Sequence, residues 1–136
     1  MTPIGTYPAK IVGAYLETDD DGSLRMCFEC DLTMPDCSIV TETARHPTSG
    51  EYGKIGKAVA QLLDIEWPDG LKTIDLAIGK ECFCKIKHKT SKHTGETFIN
   101  CYIHTGRIPQ PATPEQIDLA LAKLKAAELS DDDMPF

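Results

Sequence analysis

Hydrophobic and polar residues alternate in several segments of this chain with a period of two, which is typical of strands with one buried face. The alternation is strictest in residues 24–32, where Leu24, Met26 and Phe28 are separated by Arg25 and Cys27. Turn-forming residues such as those at positions 19–22 bound these segments. The pattern predicts strands at residues 7–17, 24–32, 38–43, 81–89 and 97–104.

Two other segments have the period of an α-helix. In residues 53–64 one helical face carries Ile55, Val59, Leu62 and Leu63. A second helix is predicted from Pro114 to about residue 127, because a threonine and a proline precede a capping-box glutamine there. The apolar residues on one face of this second helix are Ile117, Ala120, Leu121 and Leu124.

The resulting order is three strands, one helix and two strands, which is the chain order of the Greek-key barrel called the OB-fold. The predicted fold is therefore mainly β: a five-stranded OB-fold-like Greek-key barrel with one helix inserted between strands 3 and 4. A C-terminal helix and a flexible acidic tail follow it. We expect a barrel domain at residues 1–108, a linker and helix at 109–127, and a tail at 128–136.

The charge of the chain is unevenly distributed. Its 136 residues carry a net charge of −7. Between positions 79 and 107, however, six basic and only two acidic residues give +4, which leaves −11 for the remainder. Four acidic residues fall within the last nine positions. A basic segment beside an acidic tail is compatible with an anionic ligand, although the whole protein is acidic.

The last two predicted strands form a hairpin whose polar face carries lysines and aromatic rings. Ammonium groups neutralise phosphates and exposed rings stack bases, so this face predicts a site for single-stranded nucleic acid without sequence readout. Lysines that merely keep an edge hairpin soluble, with the rings packed under the C-terminal helix, are the structural alternative. The predicted DNA-binding residues are Phe83, Lys85, Lys87, Lys89, Lys92, Phe98, Asn100 and Tyr102.

The last residues combine a run of aspartates with a final Pro-Phe, which suits a partner pocket with an apolar floor and a basic rim. This ending resembles the acidic tip of bacterial single-stranded DNA-binding proteins, with methionine in place of the usual isoleucine. Residues 78–103 loosely resemble small phage proteins of the single-stranded DNA-binding and recombination-accessory group. The predicted partner-binding residues are Asp131, Asp132, Asp133, Met134, Pro135 and Phe136.

The resemblance implies a protein that coats single-stranded DNA during phage replication, recombination or repair. Its tail would recruit helicases, nucleases, primase or polymerase subunits, and would compete with DNA for the basic groove. The main alternative is a recombination mediator or adaptor that uses both tail and hairpin for protein contacts. The sequence does not determine the oligomeric state and is compatible with a homo-oligomer.

The cysteines do not predict a metal site. Cys27 and Cys30 have the spacing of a zinc ligand pair, but on a regular strand they point to opposite faces. Cys82, Cys84 and Cys101 fall on the core side, where a free cysteine acts as a small hydrophobic residue. We expect no metal and no cofactor, and a zinc-stabilised binding module is the third alternative.

Other function classes find little support in the sequence. The catalytic groupings of nucleophile, base and acid do not stand out, so we expect a protein that is not an enzyme and has no catalytic residues. The N-terminus lacks the blocks of a signal peptide, and no apolar run approaches membrane-spanning length. We therefore expect a soluble protein without membrane partners, located in the cytoplasm, which for a phage protein is that of the bacterial host.

Overall fold

The computed structural model describes residues 1–106 and 111–132, with side chains in the second range up to residue 128. The chain divides into two compact units, Met1–Thr105 and Gly106–Phe136. The first unit contains five strands, an α-helix and a 3₁₀ helix, and the second contains one α-helix. The predicted mainly β class is therefore confirmed.

The predicted strands and helices all occur in the predicted order, with a 3₁₀ helix added between α1 and the fourth strand, and two of the predicted elements are clearly longer than expected. The third strand runs beyond its predicted end at residue 43, and the last helix runs beyond residue 127. The strands are β1 (Gly5–Thr18), β2 (Leu24–Thr33), β3 (Ile39–Pro47), β4 (Glu81–Thr90) and β5 (Thr97–Ile103). The helices are α1 (Gly53–Leu62), the 3₁₀ helix (Asp69–Ala77) and α2 (Pro114–Asp132).

The five strands form one sheet in the order β3-β2-β1-β4-β5, and every neighbouring pair is antiparallel. The long central strand β1 pairs with β4 through its first half and with β2 through its second. A register shift between Ile11 and Gly13 marks a bulge at the change of partner. In residues 1–106 no backbone ladder joins β3 to β5, so the sheet is open, and closure into a barrel by strand pairing is not confirmed.

The core lies on one face of this sheet. Side chains at alternate positions of β1, β2, β4 and β5 are fully buried, as the period of two predicts. They include Ile11, Met26, Phe28, Leu32 and Ile86. Leu24, which the alternation also placed inside, lies at the start of β2 and remains 36% exposed.

The buried face of α1 differs from the predicted one. Val59 and Leu63 are buried as expected, but Ile55 and Leu62 are about half exposed. The helix packs instead with Gly56 against β3, and the approach is so close that a Cβ at this position would lie 2.1 Å from the carbonyl oxygen of Pro47. The backbones of α1 and β3 therefore touch where only a glycine fits.

The 3₁₀ helix was not predicted from the sequence pattern. Its buried side chains are Leu71, Ile74 and Ala77. A kink at Thr73 (φ −119°, ψ 35°) divides this segment into two short helical pieces, and both turn apolar side chains inward. Among the helices in the described part of the chain, none combines the length and apolar character needed to cross a bilayer.

A histidine connects the two edge strands of the sheet. His46 of β3 is only 2% exposed, and its Nε2 accepts a hydrogen bond of 3.1 Å from the backbone N–H of Ile103 in β5. Burial lowers the pKa of His46 from its usual 6.5 to about 4. The imidazole is therefore neutral at neutral pH, and its lone pair satisfies an edge N–H that faces away from β4.

This environment predicts that acid destabilises the protein through His46. The unfolded state binds a proton at pKa 6.5 and the folded state only at about 4, so the free energy of unfolding falls as pH drops through this window. The loss attributable to His46 reaches about 3 kcal/mol at its lower end. Urea unfolding at about pH 7 and about pH 4.5 measures it.

The matched variants are His46→Gln, whose amide oxygen still accepts a hydrogen bond but does not titrate, and His93→Gln in an exposed turn. Between the two pH values the free energy of unfolding should fall much less in His46→Gln than in the wild type, whereas His93→Gln should show the same fall as the wild type. An equal pH dependence in wild type and His46→Gln would contradict the assignment of the titration to His46.

Candidate nucleic-acid interface

The hairpin of β4 and β5 brings most of the predicted binding residues together as cross-strand neighbours. Lys85 lies opposite Tyr102, and Lys87 lies opposite Asn100. Side chains directly opposite each other in an antiparallel pair are about 5 Å apart at Cβ. A ring and an amide therefore alternate with ammonium groups on the solvent side of the hairpin.

The remaining predicted residues lie around this centre. Lys89 pairs with Phe98, which is 50% exposed, near the end of the hairpin. Lys92 is exposed in the connecting turn, which reverses through Gly95 at φ +71°. Phe83 is half-buried at the other end of β4, where its neighbour in β1 is Pro8.

A groove of about 630 Å³ lies along the hairpin. Its walls come from β4 and β5 on one side and from β3 and the start of α1 on the other. The bridging pair, His46 and Ile103, also lines it, so the groove covers the gap between the edges of the open sheet. The polar and aromatic lining residues are Arg45, Tyr52, Lys85, Lys87, Lys89, Asn100, Tyr102 and His104.

The charge in this groove is positive. Among residues 1–106 and 111–132, those that line it include an arginine and three lysines but no carboxylate. Arg45 Nε is 4.0 Å from Glu17 Oε1, a carboxylate that Arg25 Nη2 holds more closely at 2.7 Å. Within the described residues none of the three lysines has a carboxylate oxygen within 4.0 Å of its ammonium group. Their charges are therefore available to an anionic ligand.

Several lining residues were not predicted as binding residues, among them Arg45, Tyr52 and His104. Arg45 lies beyond the predicted end of the third strand, although the burial of its two neighbours continues the alternation and places its side chain outside. Tyr52, 57% exposed, precedes α1 in a turn without periodicity. His104 follows β5 directly. The groove depends on the approach of β3 to β5, which a local pattern does not reveal.

Phe83, Phe98 and Lys92 are predicted binding residues that do not line the groove. The structure therefore divides the predicted set into a groove group and a peripheral group. The groove group consists of Lys85, Lys87, Lys89, Asn100 and Tyr102.

Most cysteines lie in the core. Cys82, Cys84 and Cys101 are buried, as the alternation predicted. Cys27 was expected on the polar face of β2, but it is fully buried, because Glu17 covers it with Oε2 3.6 Å from Sγ. Burial raises the pKa of the Cys27 thiol. Cys30 lies on the opposite, core side.

Three thiols meet in this core: the Sγ atoms of Cys30, Cys82 and Cys84 lie within 4.8 Å of one another. Side-chain hydrogen bonding among these thiols lowers the pKa of Cys82 and raises the pKa of Cys30 and of Cys84. These residues are the group in the described chain whose spacing suits a metal ion. The spacing of cysteines along the sequence did not reveal this cluster, because it joins strands distant in sequence.

The predicted tail is only partly covered by the structure. Asp131 and Asp132 end α2, so these two aspartates are helical and not part of an unfolded run. Strong helix formers fill the preceding turns and extend the helix beyond its predicted end. Asp133, Met134, Pro135 and Phe136 lie outside the described residues.

The groove and the cysteine cluster are thus two separate sites that the fold assembles in one unit. No protein-family model matches the chain, and a search of curated proteins finds no match either.

Proposed function

We propose that the protein binds single-stranded DNA without sequence preference along the basic groove. The observation that carries this proposal is the coincidence of four cationic side chains with two tyrosines, one exposed and one half-buried, in one concave surface to which the described residues contribute no carboxylate. Phosphates need the cations, and unpaired bases need the rings. An acidic protein with one basic groove also directs an anionic strand to that groove.

The arrangement favours single strands over duplex DNA. The rings of Tyr52 and Tyr102 lie inside the groove beside the lysines, and a base reaches such a ring only when it is unstacked from its duplex neighbours. Asn100 and the lysines make no ordered set of base-edge contacts that would read a sequence. Binding is therefore expected to depend on charge and stacking.

The sheet order supports a further proposal about the fold. In β3-β2-β1-β4-β5 the two edges are the strands that a Greek-key OB barrel would bring together. We propose an OB-like barrel in which the His46–Ile103 hydrogen bond replaces a β3–β5 ladder. A groove over this junction would suit a barrel that presents a strand-facing surface to nucleic acid.

The C-terminal sequence supports a role in recruiting other proteins. Its aspartates, methionine, proline and phenylalanine resemble the tip through which bacterial single-stranded DNA-binding proteins dock their partners. We propose that residues 131–136 recruit replication, recombination or repair enzymes in phage DNA metabolism. An adaptor that binds only proteins through hairpin and tail is the outcome that the experiments below separate from this proposal.

The first prediction concerns the lysines of the groove. Replacing Lys85, Lys87 and Lys89 by alanine should weaken oligo-dT binding and reduce the slope of log affinity against log salt by about 2, since each lost single-strand phosphate contact removes about 0.7. Fluorescence anisotropy at several salt concentrations measures both quantities.

The matched control removes three lysines that do not line the groove: Lys72, Lys123 and Lys125. It lowers the net charge equally and should change the slope much less. If both triple variants behave alike, the groove is not the DNA site, and only the overall charge matters. A wild type that binds no oligo-dT at low salt supports the adaptor.

The second prediction concerns the rings. Tyr52→Ala and Tyr102→Ala should each weaken oligo-dT binding by about 1–3 kcal/mol, with little change in salt slope, because stacking releases few counterions. Tyr15→Ala is the control, since Tyr15 is also partly exposed but lies in β1 outside the groove. Equal losses for Tyr15 and Tyr52 would show that bases do not stack in the groove.

The third prediction separates the two roles of the tail. Deleting residues 129–136 should tighten oligo-dT binding modestly at low salt, because a tethered anionic segment competes for the groove. Phe136→Ala should keep this competition but lose capture of replication and repair enzymes, identified by mass spectrometry after affinity purification from bacterial extract. Retention of every captured enzyme by both variants would contradict recruitment through the tail.

A further inference from the structure

Three of the six cysteines meet at one place in the core, where the Sγ atoms of Cys30, Cys82 and Cys84 lie within 4.8 Å of one another. A fourth buried cysteine, Cys101, faces the same core from the neighbouring strand β5. The four residues come from β2, β4 and β5, and no disulfide joins any of them.

The sheet brings these thiols together over β1. Cys82 lies opposite Ala9, and Cys30 lies opposite Ile11, so the two thiols flank the same stretch of β1 from its two sides. The small side chain of Ala9 leaves space above the strand between them. Cys84 follows Cys82 on the same face of β4, and its partner in β5 is Ile103. Cys101 lies opposite Ile86, two residues further along β4, so it is a diagonal neighbour of Cys84 on the same face.

We propose that Cys30, Cys82, Cys84 and Cys101 form a structural site for a divalent cation that prefers sulfur ligands, above all Zn²⁺. Sulfur ligands favour Zn²⁺ over the harder Mg²⁺ and Ca²⁺, and a closed set of four cysteines is a common structural zinc site. This assignment departs from the sequence-based expectation that no metal is bound, which rested on spacing along the chain.

For three of the four ligands the geometry requires only a small contraction. With Zn–S bonds of about 2.3 Å, sulfur atoms in a tetrahedral site lie about 3.8 Å apart. The thiols of Cys30, Cys82 and Cys84 already lie within 4.8 Å of one another, so each of these pairs has to approach by about 1 Å at most. Cys101, the fourth ligand of the proposed site, has to turn its thiol towards them. Coordination displaces the four thiol protons to solvent, and the metal keeps its oxidation state.

All four residues are buried, so a bound ion would be shielded from water. Cys30 and Cys84 are fully buried, and Cys82 and Cys101 are 9% and 6% exposed. A metal at this position connects β2 with β4 and β5 independently of β1, and thus adds a cross-link within the open sheet.

The test begins with the full chain, produced with zinc in the medium and purified without chelators. Elemental analysis should find about one zinc per chain. Replacement by Co²⁺ should give the sulfur-to-cobalt charge-transfer band and the intense visible bands of tetrahedral thiolate coordination. A zinc chelator should lower the melting temperature of the wild type.

Variants locate the site. Cys82→Ser and Cys84→Ser should lose at least about tenfold in zinc affinity. Cys27→Ser, buried on the other face of β2, and Cys37→Ser, exposed, are matched controls and should retain the metal. Equal loss in Cys27→Ser and Cys82→Ser would overturn the assignment.

The wild type alone also decides the question if the cluster variants do not fold. Less than about a tenth of an equivalent of metal, together with a cobalt spectrum without thiolate bands, would show that the thiols are only core residues. Metal content and cobalt spectrum are read without DNA, so they stand or fall independently of the proposed binding groove.

Discussion

The open sheet depends on a neutral imidazole placed between its two edges. The N–H of Ile103 faces away from β4, and without an acceptor it would be an unpaired buried donor, which costs about 1–3 kcal/mol. His46 supplies this acceptor from β3. Because burial holds the ring neutral, the connection persists wherever the imidazole stays unprotonated. The edges are thus held at a separation that leaves room for a groove above them, and the lysines of β4 face the arginine of β3 across it.

The charge distribution follows from this geometry. Alternation puts the lysines of β4 on the solvent side, and their cross-strand partners are a tyrosine, an amide and a phenylalanine instead of carboxylates. On the β1–β2 side the same alternation collects acids, which pair with Arg25. Basic and acidic surfaces are therefore segregated within one small unit, although the chain as a whole is acidic.

Local patterns were sufficient for the strands, α1 and the hairpin, because burial imposes a period that single strands and helices carry by themselves. Local patterns failed where contacts between segments distant in sequence determine which residues are buried or line the groove. The choice of Gly56 over Ile55 for the buried face of α1 reflects contact with Pro47, and the roles of Arg45 and Tyr52 reflect the approach of β3 to β5. The convergence of Cys30 with Cys82 across β1 is likewise a property of the sheet order.

The close backbone contact at Gly56 sets the distance between α1 and β3, and with it the width of the groove. Ile55 immediately precedes this residue and Tyr52 lies one helical turn before it, and both line the wall opposite the hairpin. Any side chain at position 56 would meet the Pro47 carbonyl and lift α1 from β3, and the wall would move with it. The width of the groove is thus set by position 56, which no ligand would touch. A substitution there could change the size of ligand that the groove accepts while every lining residue stayed the same.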